Sequence, residues 1–449
     1  MKPVQIIGGG ITGLTAAWRL QARGIPFELF ESSNRVGGVI RTQRSNGFVV
    51  ESGPNTILET SAEVTDLIRD LGLQHRRIYP SSAAAKRYIA HAGVPVALPQ
   101  AAIEAVKTPL LSFRGKLRVA AEPFVAPGHG TEDESLASFV ERRFGRDLLD
   151  SIVDPFVAGI YAGNAAELSV HHAFPKLYAL ERDYGSVISG AVRGRRKRSH
   201  SATKSKVTAR MFSFDAGLEL LPQTLYERMR LSIKLNSAPR SLYPRSTEPV
   251  LICAPAAAMP DLMPNLEVLG QIHYAPVARV ALGFRTDQVG HALDGFGVLI
   301  PSREDFEILG VFFSSSLFPD RAPLGHVLMT VFLGGARQHS IPQQPPDEIK
   351  QIALRDVRRL LGIAASPAYS DVEVNPRAIP QYNVGFGRIK AAMADVEQCN
   401  PGLFLAGAYR DGVSVSDCIR AGCRAADRIA EYLSNGKENR TAADQHRVA

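Results

Sequence analysis

The chain has 449 residues, of which 45% are hydrophobic and 21% charged, with a formal charge of +8 and a sequence pI ≈ 9.3. That length and balance suit two or three globular domains and exclude a disordered or fibrous polypeptide; the positive excess favours acidic partners, whether an anionic substrate, an anionic lipid surface or nucleic acid. The four cysteines form no C-x-x-C pair and no apolar run approaches the roughly 18 residues that cross a bilayer, so a zinc framework, a disulfide-stapled fold and an integral membrane protein are excluded as well.

Val4 to Ile7 is a short, β-branched apolar run closed by glycines, which predicts a buried strand. Gly8-x-Gly10-x-x-Gly13 follows, then Leu14, Ala16, Ala17 and Leu20 at helical spacing, with Gly24 as the expected C-cap. Pro26 to Phe30 predicts a second strand that ends at Glu31. Each residue type has a task in holding a dinucleotide. Gly8 makes a tight turn, Gly10 lets backbone approach a pyrophosphate, and Gly13 lets helix and strand pack closely. The free N–H groups and the dipole of the helix start then face the phosphate charge. Glu31, with Ser32 beside it, is placed to take the hydroxyls of an adenosine ribose and to repel a 2′-phosphate. A glycine turn without a ligand is the alternative, since the glycine motif alone is weak evidence. The apolar N-terminal stretch runs straight into Gly8-Gly9-Gly10 without a cleavage-site pattern, so no signal peptide is expected. The expectation is a soluble or peripheral cytoplasmic protein with reduced thiols.

Arg35-Val36-Gly37-Gly38-Val39-Ile40-Arg41-Thr42 comes next. Its paired glycines offer bare backbone to a second part of a long cofactor, and Arg35 and Arg41 would bring positive charge near a pyrophosphate; a plain Gly-Gly hairpin is the alternative. Residues 82–205 mix short helical patterns with Pro-rich turns such as Glu122 to Gly130, and Ser135 to Phe144 has helical spacing. Arg193 to Lys206 holds seven Lys/Arg among fourteen residues with no interleaved aromatics. It reads as a solvated loop or as a patch attracted to an anionic membrane, at roughly 1 kcal/mol per basic residue. No nucleic-acid module is visible, and no such partner is expected. His171-His172 has no Cys or carboxylate cluster beside it in sequence, so no metal site is expected.

Val277–Phe284, Gly297–Ile300, Ile308–Phe313 and Val327–Phe332 are strand-like and would form either a structural core or the walls for a flat ligand. Asp347 to Leu361 predicts a helix. Leu403 to Gly407 reads as a strand running into a glycine turn, and Asp417 to Leu433 as a helix. Residues 434–449 are polar and are expected to be a disordered tail.

Two of these stretches resemble the FAD-dependent amine oxidase superfamily: R-x-G-G-x-x-x-T at 35–42, and the closing strand–turn–helix after Leu403. Further stretches resemble the protoporphyrinogen and coproporphyrinogen oxidases of haem biosynthesis. These are F-V-V-E-S-G-P-N from Phe48, F-V-A-G-I-Y-A-G-N-A-A-E-L-S from Phe156, F-P-K-L-Y-A-L-E from Phe174, S-F-D-A-G-L-E-L-L from Ser213, I-P-Q-Y-N-V-G from Ile379 and Asp417-Cys418-Ile419. The likeness runs over residues 4–433. The chain departs from that pattern at Phe386, where His is usual, at Ala408, where Asn is common, at Asp215-Ala216-Gly217, where Gly-Gly is typical, and at Ala238-Pro239, near which an adenine-packing Val is expected.

The resemblance implies an α/β fold in which a Rossmann-like FAD-binding domain of glutathione-reductase/amine-oxidase type is interleaved with an α+β substrate domain. The FAD domain would take residues 1–81, 206–272 and 379–433; residues 82–205 would form a helical, substrate- or membrane-facing segment and residues 273–378 a substrate-binding sheet and helix. FAD would be held non-covalently by Gly8, Gly10, Gly13, Glu31, Ser32, Arg35, Gly37, Gly38, Gly53, Pro54, Gly407 and Val413, with Cys418 a buried thiol. Asn55 would face flavin and substrate, Arg87 would bind a substrate propionate, and Gly159 would offer backbone near the ring. The local alternatives are a turn-capping Asn55, a surface charge at Arg87 and simple packing at Gly159.

The implied reaction takes six electrons and six protons from coproporphyrinogen III or protoporphyrinogen IX, as three hydride transfers to flavin N5, with O2 or another acceptor reoxidising the flavin. Peripheral membrane contact and a monomer or homodimer are expected. An amine oxidase, and a non-catalytic porphyrin- or membrane-binding protein on the flavin fold, are the alternatives.

Overall fold

The computed structural model describes residues 2–128, 133–198, 209–239 and 249–448. Its first sheet is fully parallel and is drawn from distant parts of the chain. The strands run in the order Ile233–Lys234, Phe27–Phe30, Val4–Ile7, Val250–Ile252, Leu403–Leu405. The central strands Val4–Ile7, Val250–Ile252 and Leu403–Leu405 are mostly apolar, as parallel strands covered on both faces require, and the edge strand Ile233–Lys234 ends in an exposed lysine. The helix Ile11–Ala22 buries Leu14, Ala17 and Leu20 with Val4, Ile6 and Leu29. The closing helix, Val415–Val448, packs onto that helix through Ile419, Ala425 and Ile429. The two backbones touch at Gly422, where a Cβ would lie 2.4 Å from the Thr12 carbonyl oxygen.

The second sheet has seven strands in the order Tyr369–Pro380, Tyr274–Arg285, His326–Gly334, Ile308–Phe312, Gly295–Leu299, Lys86–His91, Val94–Ala97. Side chains alternate between its faces. Ala278, Val280, Leu282, Val298, Met329 and Val331 meet the helix Pro346–Leu361 on one face. On the other, Ala281 and Leu328 meet Phe48 and Val50 of the hairpin Thr42–Glu51, and Leu309 meets Ala158 and Ala162 of the helix Asp154–Tyr161. That face is therefore covered by the hairpin that follows the second glycine pair and by the segment that carries Gly159.

Several expectations need correction. Residues 86–97 do not belong to a helical segment. They form a hairpin whose first strand pairs in parallel with Gly295–Leu299, because Tyr88 and Ala90 supply the alternating apolar set that completes that sheet's core. The strand Tyr369–Pro380 was not legible, because Ser370, Asp371, Glu373, Asn375 and Arg377 interrupt its apolar pattern; cross-strand pairing with Tyr274–Arg285 sets it. Arg193 to Arg198, read as part of a loop, continue the helix Val187–Arg198, and the rest of that basic run lies outside the described residues. The tail expected to be disordered is helical through Val448: extending a helix already anchored by packing avoids the nucleation cost that an isolated polar segment would bear.

Candidate functional site

The glycine turn sits at the carboxyl ends of the parallel strands, where open α/β sheets bind ligands. Gly8 has φ +107°, and a Cβ there would lie 2.9 Å from the backbone of Cys253 and Ala254. A Cβ on Gly13 would lie 2.1 Å from the Gly8 carbonyl oxygen. Gly10 differs: a Cβ on it meets no protein atom within 4 Å. Nothing in the polypeptide forbids a side chain at Gly10, so the space before it is kept for something else. The helix behind it begins without a side-chain cap and without an acid in its first turn, which leaves its amino end to an external anion.

Glu31 follows the second strand, as expected. One carboxylate oxygen accepts from the Gly9 amide at 2.7 Å, and the other from the amide and hydroxyl of Ser33, each at 2.8 Å. Two oxygens have about four acceptor positions, so capacity for a sugar hydroxyl remains. The Ser32 hydroxyl approaches the same carboxylate only at 3.4 Å. The segment after Ile233–Lys234 lies alongside, with the Ser237 amide donating to the Glu31 carbonyl and the Asn236 amide to the Ser33 carbonyl.

The second glycine pair lies against the first. The Gly37 amide donates to the Gly9 carbonyl at 2.8 Å, and a Cβ on Gly38 would stand 3.6 Å from Gly10 Cα. Arg35 turns onto its own loop. Its guanidinium donates to the carbonyls of Val36, Ile40 and Gly38, the last at 2.7 Å, and so holds the loop's shape. Arg41, at the other end of the loop, is exposed. Beneath the loop is a buried polar latch that sequence reasoning missed. Glu51 accepts from the Thr42 hydroxyl at 2.7 Å and the Leu218 amide at 2.9 Å, and Arg321 lies 3.4 Å away. Burial pushes the Glu51 carboxyl above its ordinary range, against the opposing pull of Arg321. The latch joins residues distant in sequence; its only local signal was the acid inside the apolar run F-V-V-E.

Gly53 crosses the same loop, where a Cβ would lie 2.2 Å from the Val39 carbonyl oxygen. Pro54 and Asn55 follow, and the Asn55 amide makes the local turn contact, donating to the Gly53 carbonyl at 3.3 Å. At the far end of the chain, Gly407 (φ +145°) ends the strand Leu403–Leu405, and Gly412, Val413 and Ser414 lead into the closing helix. Cys418, in that helix, is buried, with its sulfur 3.7 Å from the Gly412 carbonyl. The phenol of Tyr382 bridges this turn, donating to the Ala408 carbonyl and accepting from the Gly412 amide at 2.7 Å.

Arg87 and Lys86 alternate on one strand and separate accordingly. Lys86 pairs with Asp294 at 2.6 Å. Arg87 has no carboxylate partner among the described residues, and its guanidinium lies 5.9 Å from the centre of the Phe296 ring. Arg87 and Phe296 line a cleft of ≈ 180 Å³ with Ala84, Met211 and Leu317. Met211 pairs in register with Leu58, three residues after Asn55. The cleft is smaller than the roughly 300–1,000 Å³ of a whole-ligand site, so it suits one arm of a larger ligand. Gly159 lies on the helix Asp154–Tyr161, where a Cβ would stand 2.6 Å from Leu299 Cδ2. Close packing therefore accounts for this glycine.

The family model for flavin containing amine oxidoreductases matches residues 11–430. The chain belongs to this family. Within it, the chain is 34% identical to protoporphyrinogen oxidase 2, chloroplastic/mitochondrial, of Arabidopsis thaliana, over 99% of this chain and 96% of that one. It is 31% identical to coproporphyrinogen III oxidase of Bacillus subtilis (strain 168), over 96% and 98%. A crystal structure of a candidate protoporphyrinogen oxidase from Exiguobacterium sp. 255-15 superposes with a TM-score of 0.80 at 25% identity, covering 96% of this chain and 99% of that one. Cyclohexylamine oxidase from Brevibacterium oxydans IH-35A shares the fold alone, with a TM-score of 0.70 at 16% identity and coverage of 96% and 99%. This amine oxidoreductase fits a flavin dinucleotide on its own geometry: an uncapped helix start, ligand space before Gly10, and two glycine loops in contact.

Three departures from the family pattern find places in this flavoprotein. Asp215 pairs with Arg76 at 2.5 Å at the surface, and Gly217, kept after it, sits where a Cβ would meet Thr42 at 2.3 Å. Ala408 contributes its carbonyl, and Phe386 its ring, to the Tyr382 contacts.

Proposed function

We propose that this protein oxidises a porphyrinogen, coproporphyrinogen III or protoporphyrinogen IX, to the porphyrin with FAD, in haem biosynthesis. One observation carries the reading: Arg87, without a carboxylate partner among the described residues, stands by the Phe296 ring in a cleft lined by Met211, whose strand pairs with Leu58 just after Gly53 to Asn55. When bound, FAD supplies acceptance of two electrons at a time, and O2 is the simplest reoxidant. The polypeptide's part is placement. Arg87 can pair both oxygens of a propionate, while the half-buried Leu299 and Phe332 offer apolar surface to the tetrapyrrole's body. Gly8, Gly10, Gly13, Glu31, Gly37 and Gly38 take the dinucleotide, and Gly53 to Asn55 lie between it and the Arg87 cleft. An amine oxidase finds less support here. Near Gly407, Tyr409 and Tyr382 are both buried, and Phe386 already stacks on the Tyr382 ring, so neither ring presents an open face to sandwich an amine.

The test is anaerobic mixing of the yellow holoenzyme with each porphyrinogen while flavin absorbance is followed. Bleaching by at least one is expected; no bleaching by either would end the proposal. Arg87→Ala is expected to lower kcat/KM about 10- to 100-fold, chiefly through KM, as loss of a charge-assisted contact requires.

The same protein is proposed to dock on an anionic membrane surface. Ile103, Val106, Phe113, Leu117 and Phe124 are exposed, Phe124 at 90%, on the consecutive segments 102–107, 113–120 and 122–124. Lys107 and Arg114 are exposed among them. No helix is long and apolar enough to cross a membrane among the described residues. Apolar side chains flanked by basic ones instead fit the headgroup boundary. Cosedimentation with phosphatidylglycerol vesicles is expected to fall at least tenfold in Phe113→Ser/Phe124→Ser, since each buried Phe is worth roughly 1.5–3 kcal/mol. Equal binding by both proteins would refute the docking face.

A further inference from the structure

Tyr382 lies outside the cofactor loops, on the segment Ile379–Gly385, yet it is 3% exposed and its hydroxyl is used twice. It donates to the Ala408 carbonyl and accepts from the Gly412 amide at 2.7 Å. These two groups flank the short helix Ala408–Asp411 between Gly407 and Gly412. Within the turn the Arg410 and Asp411 amides donate to the Gly407 carbonyl at 3.0 and 2.9 Å, and the Gly407 amide donates to the Asp411 carboxylate at 3.1 Å, while φ is positive at both glycines, +145° and +120°. The phenol closes it from outside. The ring is held in its turn. Phe386 stacks on it with centroids 4.5 Å apart and planes at 27°, His172 meets Phe386 edge-on at 5.6 Å, and Tyr161 meets Tyr382 edge-on at 6.3 Å. Gln381, the preceding residue, donates to the Tyr161 carbonyl at 2.9 Å and ties this segment to the end of the helix that carries Gly159.

We infer that Tyr382 is a positioning residue for the flavin: its hydroxyl fixes the Gly407–Val413 turn, and Phe386 fixes its ring. The inference rests on the proposal that this turn lies against FAD. It accounts for both departures from the family pattern in this region. Ala408 serves through its backbone carbonyl, so no particular side chain is needed there. Phe386 serves as a flat stacking surface, which an aromatic ring of either kind provides. Burial raises the Tyr382 phenol well above its ordinary pKa, so it remains a donor over the working range.

Tyr382→Phe keeps the ring and removes only the bridge, leaving the Gly412 amide and Ala408 carbonyl without that partner. In the holoenzyme, FAD release on dilution, followed by the rise in free-flavin fluorescence, is expected to quicken about tenfold. The flavin absorption band should change shape, and kcat should fall while the porphyrinogen KM holds. Phe386→Leu loosens the ring without touching the hydroxyl, and should move release and band in the same direction by a smaller factor. Unchanged release and band in Tyr382→Phe would overturn the inference, as would a Phe386→Leu effect in the opposite direction. Gly10→Val separates this failure from failure of the flavin site itself. If Gly10→Val loses FAD while Tyr382→Phe retains it normally, only the Tyr382 role falls. If Gly10→Val keeps FAD as tightly as the parent, the site reading falls, and the Tyr382 role with it.

Discussion

A Gly10→Val protein is expected to fold and to be purified colourless. The backbone at Gly10 has φ −69° and ψ 173°, which a β-branched residue adopts without strain. Its Cβ would meet no protein atom within 4 Å, so the polypeptide has no reason to lose stability. The side chain would instead occupy the space before the uncapped helix start, where backbone must approach the pyrophosphate. Circular dichroism and a melting curve without added FAD should match the parent, while FAD titration should show at least a hundredfold weaker binding. Gly13→Val is the contrast. There a Cβ would strike the Gly8 carbonyl oxygen at 2.1 Å, so that variant should lose stability as well as cofactor. If both variants lost stability equally, the argument that Gly10 faces ligand space would fail.

The largest stability loss is expected from Glu122→Ala, about 3–5 kcal/mol by urea unfolding, because it leaves a buried charge without its main partner. Glu122 and Arg143 have no exposed surface. The Arg143 Nε donates to Glu122 at 2.7 Å, and its other nitrogens reach the carbonyls of Val125 and Gly185 and the carboxylate of Glu181. The Glu122 carboxylate also accepts from the Ser186 hydroxyl at 2.7 Å and from the amides of Val187 and Ile188 at 2.9 and 3.1 Å, which caps the helix Val187–Arg198. One substitution would break the ion pair and uncap the helix. Glu122→Gln keeps an acceptor for the cap and should cost less. A loss below about 1 kcal/mol for Glu122→Ala would mean that water reaches the pair and replaces the carboxylate. None of these residues touches the glycine turns, so FAD should still bind the folded fraction.

The first strand, glycine turn, helix and second strand were legible in the sequence. Gly8, Gly10, Gly13 and Glu31 lie on one strand–turn–helix–strand unit, and what each does depends on neighbours a few residues away. For Arg35, spacing shows that a cation is near a loop, but not that its fork turns back onto the loop's own carbonyls. The ligand side was harder to read. Lys86 and Arg87 are equivalent as neighbours in sequence, and only the alternation of a strand beside Asp294 gives Lys86 a carboxylate and leaves Arg87 with none among the described residues. The contact between Gly159 and Leu299 joins segments far apart in the chain, which no local pattern signals.

The amino-acid sequence by itself determined the local backbone chemistry of this protein: where glycine permits a turn, where an apolar run must be buried, and which acid ends the second strand. The tertiary structure alone decided which distant pieces meet. It brought strands near residues 5, 28, 233, 251 and 404 into one parallel sheet, joined Glu51 to Arg321, and set Tyr382 against the turn at Gly412. The physical reason is range. Sterics and backbone hydrogen bonding act over a few residues and leave a pattern in the chain, whereas the partner of a buried polar group is set by packing between segments that carry no mark of each other.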